Sequence, residues 1–361
     1  MHRVLIAAGG SGGHLIPAQV IAEGLASSGA SVSFAAGGLS ANPFFDRTRW
    51  PYDDIPSAPP SLRRLHRAAP ALFLGTMRAF NLLRTEKPLL VVGFGSYHAA
   101  PVLAAAALCR VPTVLFTADA VPGRTIRCFS PFARWTGCFF SEALFRLRGQ
   151  ACVVDLPLRP SFAQAITKEE GRRFFGLPNT GPVILVLGGS QGAKALNEVA
   201  PKAIALLASP PCVLHLCGHG GDVEAIGRTY TKAGIAACVR PFETQMQYAF
   251  AAADAVIARS GASTIAEIEA FGRPALYIPF PLAMDEHQRR NAELAAERGT
   301  AIVLDEKRLS PELAAESLRR LLTAPTMQQG PAPVQQGFFI NKIIQTLEEV
   351  SHVKKSTGSL L

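Results

Sequence analysis

The sequence predicts an α/β protein built from two doubly wound halves, and three observations carry that expectation. Short apolar runs alternate with helical patterns along the chain, the signature of parallel strands buried between helix layers. One strand-to-glycine-to-helix device occurs twice: the apolar run 4–8 leads into Gly9-Gly10-Ser11-Gly12-Gly13-His14, and 183–187 leads into Gly188-Gly189-Ser190-Gln191-Gly192. The length of 361 residues and an apolar fraction of 48% suit about two domains, each with its own core. Glycines let the backbone turn sharply and lie close to a ligand, and a helix N-terminus offers N–H groups and partial positive charge to an anion. Two such turns, each opening a helix, point to two Rossmann-like halves facing one phosphorylated ligand.

In chain order, strands are expected at 4–8, 31–35, 89–93 and 113–117, and then at 183–187, 213–217, 237–240, 255–258, 275–279 and 301–304. The proline-punctuated segment Val154-Asp155-Leu156-Pro157-Leu158-Arg159-Pro160 separates the halves, giving a first domain over 1–156 and a second over 157–337 with a cleft between them. Phe339, Ile343, Ile344 and Leu347 recur at helical spacing, so a helix is expected over 338–350, with a frayed polar tail over 351–361.

Composition narrows the function. The longest apolar stretch, 101–109, is too short to span a bilayer, and Met1-His2-Arg3 before a short strand lacks a signal-peptide core, so a cytoplasmic protein without a cleaved leader is expected. Seven cysteines show neither CxxC pairs nor zinc spacing and read as reduced, mostly buried thiols. A net charge of +9 favours anionic partners: nucleotide phosphates, nucleic acid or an acidic membrane surface.

The chemistry gathers at two further strand ends. Arg259-Ser260-Gly261-Ala262-Ser263-Thr264-Ile265-Ala266-Glu267 starts a helix whose first turn can hold phosphate oxygens. Glu267 lies four residues after Ser263 on the same face, about 6 Å up the helix, where a carboxylate can accept hydrogen bonds from ribose hydroxyls. Asp285-Glu286-His287-Gln288 follows another strand, and His287 and Gln288 can hydrogen-bond sugar hydroxyls. No cluster has metal-ligand spacing, and no Asp-x-Asp pair is present to hold a cation on a diphosphate. An NAD-dependent oxidoreductase would need a carboxylate near the end of the second strand, where the chain reads Ser33-Phe34-Ala35-Ala36-Gly37-Gly38 with none until Asp46.

The order of these motifs, with Gly93-Phe94-Gly95-Ser96-Tyr97 and Leu156-Pro157-Leu158-Arg159 between them, resembles the MurG family over the chain up to Val350. That family transfers GlcNAc from UDP-GlcNAc to polyprenyl-diphosphate-linked MurNAc-pentapeptide, lipid I, making lipid II for peptidoglycan. The resemblance implies a GT-B fold of two Rossmann-like domains facing a central cleft, and an inverting, metal-independent transferase with no cofactor and no nucleic-acid partner. It implies Ser11, Gly12 and Gly13 at the junction of sugar nucleotide and acceptor, and His14 beside the reacting centre. Arg159 and Ser190 fall on the diphosphate, and the Phe242-Glu243 backbone on uracil. Ala262, Ser263, Thr264, Ile265, Ala266 and Glu267 fall on phosphate and ribose, and His287 and Gln288 on GlcNAc. The 338–350 helix would cross back toward the first domain.

One departure stands out. Where the family has His-Glu-Gln-Asn, this chain reads Phe116-Thr117-Ala118-Asp119, and the family's Gly-Gly-Tyr becomes Gly95-Ser96-Tyr97. His14 and Asp119 remain as candidates for the base that takes the acceptor proton. The favoured assignment makes His14 the base and has Asp119 orient it or the acceptor, and the reverse assignment stays open. Arg63, Arg64, Arg67, Arg78 and Arg84 interleave with Leu72, Phe73, Leu74 and Phe80, which together with Tyr97 form the expected acceptor and membrane side. The mixture resembles the family's membrane-docking patch and implies peripheral attachment to the cytoplasmic face of the inner membrane. Two other readings compete: a GT-B enzyme with a different lipid acceptor such as diacylglycerol, and a sugar-nucleotide-binding protein without catalysis.

Overall fold

The computed structural model describes residues 2–59, 65–299, 301–323 and 337–358, apart from the side chains of 65–67 and 354–358. Contacts gather Met1–Arg159 with Val334–Leu361 into one compact unit and Pro160–Pro333 into a second.

The first unit is a seven-stranded sheet in the order β3-β2-β1-β4-β5-β6-β7, all neighbours parallel. Its strands are β1 (Arg3–Ala7), β2 (Ser31–Ala36), β3 (Tyr52–Asp54), β4 (Leu90–Gly93), β5 (Thr113–Thr117), β6 (Trp135–Cys138) and β7 (Ala151–Val153). The connecting helices include α1 (Gly12–Ser27), α2 (Leu65–Glu86), α3 (Ala100–Leu108) and α4 (Arg124–Phe129). Val4, Leu5, Ile6, Val91 and Leu115 are buried on both faces of the sheet, which is why β1, β4 and β5 read as continuous apolar runs. β1 pairs with β2 on one side and β4 on the other, so the chain reverses direction across the sheet there, and the glycine turn after β1 lies at that switch point.

Three strands escaped the sequence reading. β3 and β7 are three-residue edge strands, and β6 carries Gly137, where a Cβ would fall 2.8 Å from Val154 Cγ2 and 3.1 Å from Phe339 Cε2. Glycine is demanded there by Val154 and by the C-terminal helix, Phe338–Gly358, whose Phe339, Ile343, Leu347 and Val350 are buried against this unit. Phe339 stacks on Phe116 with ring centroids 4.9 Å apart and meets Trp135 edge-on at 5.8 Å. Trp135 Nε1 donates to Thr346 Oγ1 (3.0 Å), and Asp155 accepts the N–H groups of Gly337 (2.7 Å) and Phe339 (2.6 Å). These contacts correct two expected boundaries. The helix continues past 350 to Gly358, into the expected tail, and the first unit runs through Arg159 and includes Gly337, both assigned to the second half from sequence.

The second unit is a six-stranded parallel sheet in the order β10-β9-β8-β11-β12-β13. Its strands are β8 (Val183–Leu187), β9 (Cys212–Leu216), β10 (Ala237–Arg240), β11 (Ala255–Ala258), β12 (Ala275–Tyr277) and β13 (Ala301–Val303). Helices α5 (Lys168–Phe174), α6 (Lys194–Ala205), α7 (Val223–Lys232), α8 (Met246–Ala252), α9 (Ala262–Ala270), α10 (His287–Glu297) and α11 (Pro311–Thr323) surround it. β8 is the switch strand, paired with β9 and β11. One polar chain crosses the core: buried His215 on β9 meets Tyr230 Oη through Nδ1 and Asn197 Oδ1 through Nε2, each at 3.0 Å. All seven cysteines are free, but only Cys138 and Cys217 are buried. Cys152 and Cys238 sit on edge strands and Cys109 just past a helix end, so "mostly buried" does not describe them.

Candidate active site

In the first unit the glycine run passes straight into a helix. The Ser11 carbonyl accepts the N–H groups of His14 (3.1 Å) and Leu15 (3.2 Å), and the Ser11 hydroxyl lies 3.1 Å from His14 Nδ1 instead of capping α1. The half-buried His14 ring turns its Nε2 edge toward the β4 turn, where a Cβ at Gly95 would lie 3.9 Å away. Gly10 adopts φ +90°, which favours glycine, and its carbonyl accepts from Asn42 Nδ2 at 2.6 Å. A Cβ at Gly12 would press on the Phe44 ring at 3.3 Å, while Gly13 is exposed. Asp119 is half-buried just beyond β5, its carbonyl accepting a long bond from Thr117 Oγ1 (3.5 Å). Phe116 and Thr117 are buried members of β5, and the Phe116 ring is spent on the C-terminal helix. The Tyr97 and His98 rings lie with centroids 4.0 Å apart, tilted by 30°. His98 was not singled out from sequence, although a histidine directly after Gly95-Ser96-Tyr97 was a usable signal. Burial pushes its pKa below the ordinary histidine value. Arg159 is half-buried at this unit's end.

In the second unit the glycine run behaves differently. Gly192 N–H donates to the Gly189 carbonyl (2.9 Å), closing a turn, and α6 starts only at Lys194. The reason is packing: a Cβ on Gly192 would overlap the Cys217 carbonyl, so this turn is pressed on the loop after β9. Ser190, half-buried, accepts the His219 N–H at its carbonyl (3.0 Å), and the His219 ring stacks on Phe242 at 5.4 Å and 20°.

The α9 turn is more constrained than its sequence suggests. Gly261 is the N-cap, and the fully buried Ser260 hydroxyl donates to the Gln288 carbonyl (2.7 Å). Asn291 Nδ2 donates back to the Ser260 carbonyl (3.3 Å), so the starts of α9 and α10 are tied together. The first intrahelical bond runs from Ile265 N–H to the Gly261 carbonyl (3.0 Å), so the N–H groups of Ala262, Ser263 and Thr264 precede the ladder. Ala262, Ile265 and Ala266 point into the core, so only their backbone is placed for a ligand, whereas Ser263, Thr264 and Glu267 are half-buried.

On α10, His287 Nδ1 is 2.9 Å from the Met284 carbonyl, a pairing that requires the proton on Nδ1 and leaves Nε2 of the neutral ring as an acceptor. Gln288 Oε1 accepts the Phe280 N–H (3.0 Å), which leaves the amide NH₂ as the donor end of this side chain. Asp285 and Glu286 both sit at φ +52°, a conformation that L-residues adopt at a cost of about 1–2 kcal/mol each. The nearly buried Glu243 carboxylate accepts the N–H groups of Thr244 and Gln245 (2.8 Å each) and pairs with Arg240 (2.7 Å), which leaves the backbone at Phe242-Glu243, the part expected on uracil, as what this segment can offer a base.

The expected membrane residues divide. On α2, Phe73 is 66% exposed and Leu74 59%, joined by Met77 at 46%, beside exposed Arg78 and Arg84. Leu72 and Phe80 are half-buried; Phe80 packs on the core, with Arg84 over its ring at 5.7 Å. Arg63 and Arg64 lie outside the described residues, as does the Arg67 side chain. Among the described residues no helix is long and apolar enough to cross a membrane.

Residues 4–137 match the glycosyltransferase family 28 N-terminal domain and 183–347 the family 28 C-terminal domain. The crystal structure of Acinetobacter baumannii MurG superposes with a TM-score of 0.80 at 28% identity, covering 97% of this chain and 100% of that one. A Protochlamydia amoebophila protein named UDP-N-acetylglucosamine--N-acetylmuramyl-(pentapeptide) pyrophosphoryl-undecaprenol N-acetylglucosamine transferase is 35% identical over 89% of this chain and 87% of its own length. The chain belongs to the MurG family. Another protein of that name, from Chlamydia trachomatis serovar L2, is 37% identical over 81% of this chain and 82% of its own. The MurG family membership makes this chain a glycosyltransferase, and its two parallel-sheet α/β units are those of the GT-B fold, shared with the calicheamicin glycosyltransferase CalG4 at a TM-score of 0.64, 15% identity and 99% and 98% coverage of the two chains.

Proposed function

We propose that the protein transfers N-acetylglucosamine from UDP-GlcNAc to undecaprenyl-diphosphate-linked MurNAc-pentapeptide, forming lipid II in peptidoglycan synthesis. The observation that carries this reading is the bond from Ser260 to the Gln288 carbonyl, which supports one donor-binding piece in the second unit of a MurG-family chain. On that piece the N–H groups of Ala262, Ser263 and Thr264 face phosphate, Glu267 accepts from ribose hydroxyls, His287 Nε2 accepts from a GlcNAc hydroxyl and the Gln288 amide donates to another. Ser190 and Arg159 meet the diphosphate, and the backbone at Phe242-Glu243 meets uracil. Backbone donors, arginine and helix N-termini offset the charge of departing UDP without a metal.

Transfer proceeds with inversion. The acceptor hydroxyl attacks C1 of GlcNAc opposite the UDP, the bond from C1 to the phosphate oxygen breaks with its electron pair leaving on UDP, and His14 takes the hydroxyl proton. Ser11 orients the His14 ring through Nδ1, the Gly12-Gly13 backbone lies at the junction of donor and acceptor, and Asp119 and Tyr97 hold the acceptor side. Phe73, Leu74 and Met77 enter the cytoplasmic leaflet of the inner membrane while Arg78 and Arg84, with Arg63, Arg64 and Arg67, meet anionic headgroups at about 1 kcal/mol each. Radiolabelled UDP-GlcNAc offered with lipid-linked MurNAc-pentapeptide or with diacylglycerol tests the reading. Label in the first acceptor supports it, label only in the second assigns a different lipid acceptor, and binding without transfer to either makes the protein a non-catalytic binder.

A further inference from the structure

Three turns at the carboxyl ends of β1, β2 and β4 close on one imidazole. A Cβ built at Gly9 falls 2.8 Å from His98 Cβ; one at Gly10 falls 3.1 Å from Cδ2 and 3.6 Å from Nε2; one at Gly37 falls 3.1 Å from Nδ1 and overlaps Ser57 Oγ. A side chain at Gly9 or Gly10 would press on His98 and one at Gly37 would run into Ser57 Oγ, so these glycines let the turns close tightly around the imidazole.

The residue is held at both backbone and ring. Gly37 N–H donates to the His98 carbonyl (3.1 Å) and the His98 N–H donates to Ser96 Oγ (3.4 Å), while the ring meets Ser57 Oγ through Nδ1 at 3.4 Å and has the Gly37 backbone beside it. Ser96 itself sits at φ +66°, a strained position for serine that this local bonding offsets. Burial favours the neutral ring, which presents one donor nitrogen and one acceptor. With Nδ1 directed at Ser57, Nε2 looks along Gly10, and no described residue takes it.

We propose that His98, together with Ser57, is a positioning residue for the acceptor: it sets the spacing of the Gly9-Gly10 turn against Gly37 and Ser96, and so the seat of the lipid-linked sugar diphosphate. This inference rests on the acceptor-side reading of the first unit. The donor contacts proposed for Glu267, His287 and Gln288 belong to the second unit, so donor affinity serves to separate the effects.

The experiment is steady-state transfer by the full chain with UDP-GlcNAc and lipid-linked MurNAc-pentapeptide, alongside calorimetric UDP-GlcNAc binding. His98→Ala raises the acceptor KM about 10- to 100-fold, the scale of a displaced binding turn, while kcat stays within about threefold and donor affinity is unchanged. His98→Asn, which keeps a hydrogen-bonding group toward Ser57, recovers most of the loss. Ser57→Ala raises the same KM by a smaller factor and replaces His98→Ala if circular dichroism shows the latter unfolded. An unchanged acceptor KM in the folded variants overturns the inference, as does a fall in kcat at constant acceptor KM, which makes His98 a catalytic group. Absence of transfer by the unaltered protein overturns the proposed function and takes this inference with it.

Discussion

Replacing Asp155 isolates the clamp that holds the C-terminal helix. Its side chain is only 4% exposed, and its two oxygens accept the Gly337 and Phe339 N–H groups at 2.7 and 2.6 Å. Hydrogen bonds to a charged group contribute about 1.5–3 kcal/mol each, so the pair contributes about 3–6 kcal/mol before the cost of burying the carboxylate. That cost is visible in a pKa raised by desolvation, against which the two backbone bonds act, and it brings the expected net loss for Asp155→Ala to about 2–4 kcal/mol. Asp155→Asn keeps one acceptor oxygen and most of the volume, and loses about half as much. At about 2–4 °C per kcal/mol for a unit of this size, the alanine variant melts roughly 5–15 °C lower. Trp135 reports locally because its Nε1 donates to Thr346 of the same helix; a Trp50→Phe background leaves Trp135 as the single tryptophan of the two in the chain. Fluorescence melts should show the Trp135 transition shifting with the global one. A melting point within 1 °C of the parent, with unchanged Trp135 emission, would refute the clamp.

Glu267→Ala is expected to weaken UDP-GlcNAc binding by about 1.5–3 kcal/mol in calorimetric titration, and unchanged affinity in a folded variant removes Glu267 from the site. Burial holds His215 at a pKa of about 4, below the ordinary 6.5, so the unfolded chain takes up a proton first. Stability is therefore complete above pH 6.5 and falls as pH drops toward 4, by about 3 kcal/mol in all, and His215→Gln should flatten that slope in urea unfolding at stepped pH. Phe73→Ser with Leu74→Ser should weaken partitioning onto anionic vesicles about a hundredfold or more in co-sedimentation, at about 1.5–3 kcal/mol per large apolar side chain, and equal recovery would place the membrane surface elsewhere. His14→Ala should lower kcat about 10²- to 10⁴-fold with donor affinity intact while Asp119→Asn is milder; the opposite order would exchange their roles.

The sequence by itself determined the class of fold and most of its inner strands. β1, β4, β5, β8 and β11 are buried on both faces, and double burial forces a continuous apolar run that is visible without coordinates. Glycine turns at switch points are legible for a similar reason, because a backbone constraint acts on the residue type itself. Edge strands β3 and β7 lacked that pressure, and Gly137 in β6 answers to Val154 and to Phe339, the latter far along the chain. The tertiary structure decided which polar atoms remain available to a ligand. Polar side chains in the motifs look equally available in sequence, yet the Ser260 hydroxyl is spent on Gln288 and the Glu243 carboxylate on Arg240 and two N–H groups. The tautomer of His287 depends on the Met284 carbonyl, and the importance of His98 depends on three turns that meet only when β1, β2 and β4 lie side by side. Burial leaves its mark on residue type wherever a whole face is dry, whereas the partner of a single polar atom is chosen by packing between distant segments, which local sequence pattern does not encode.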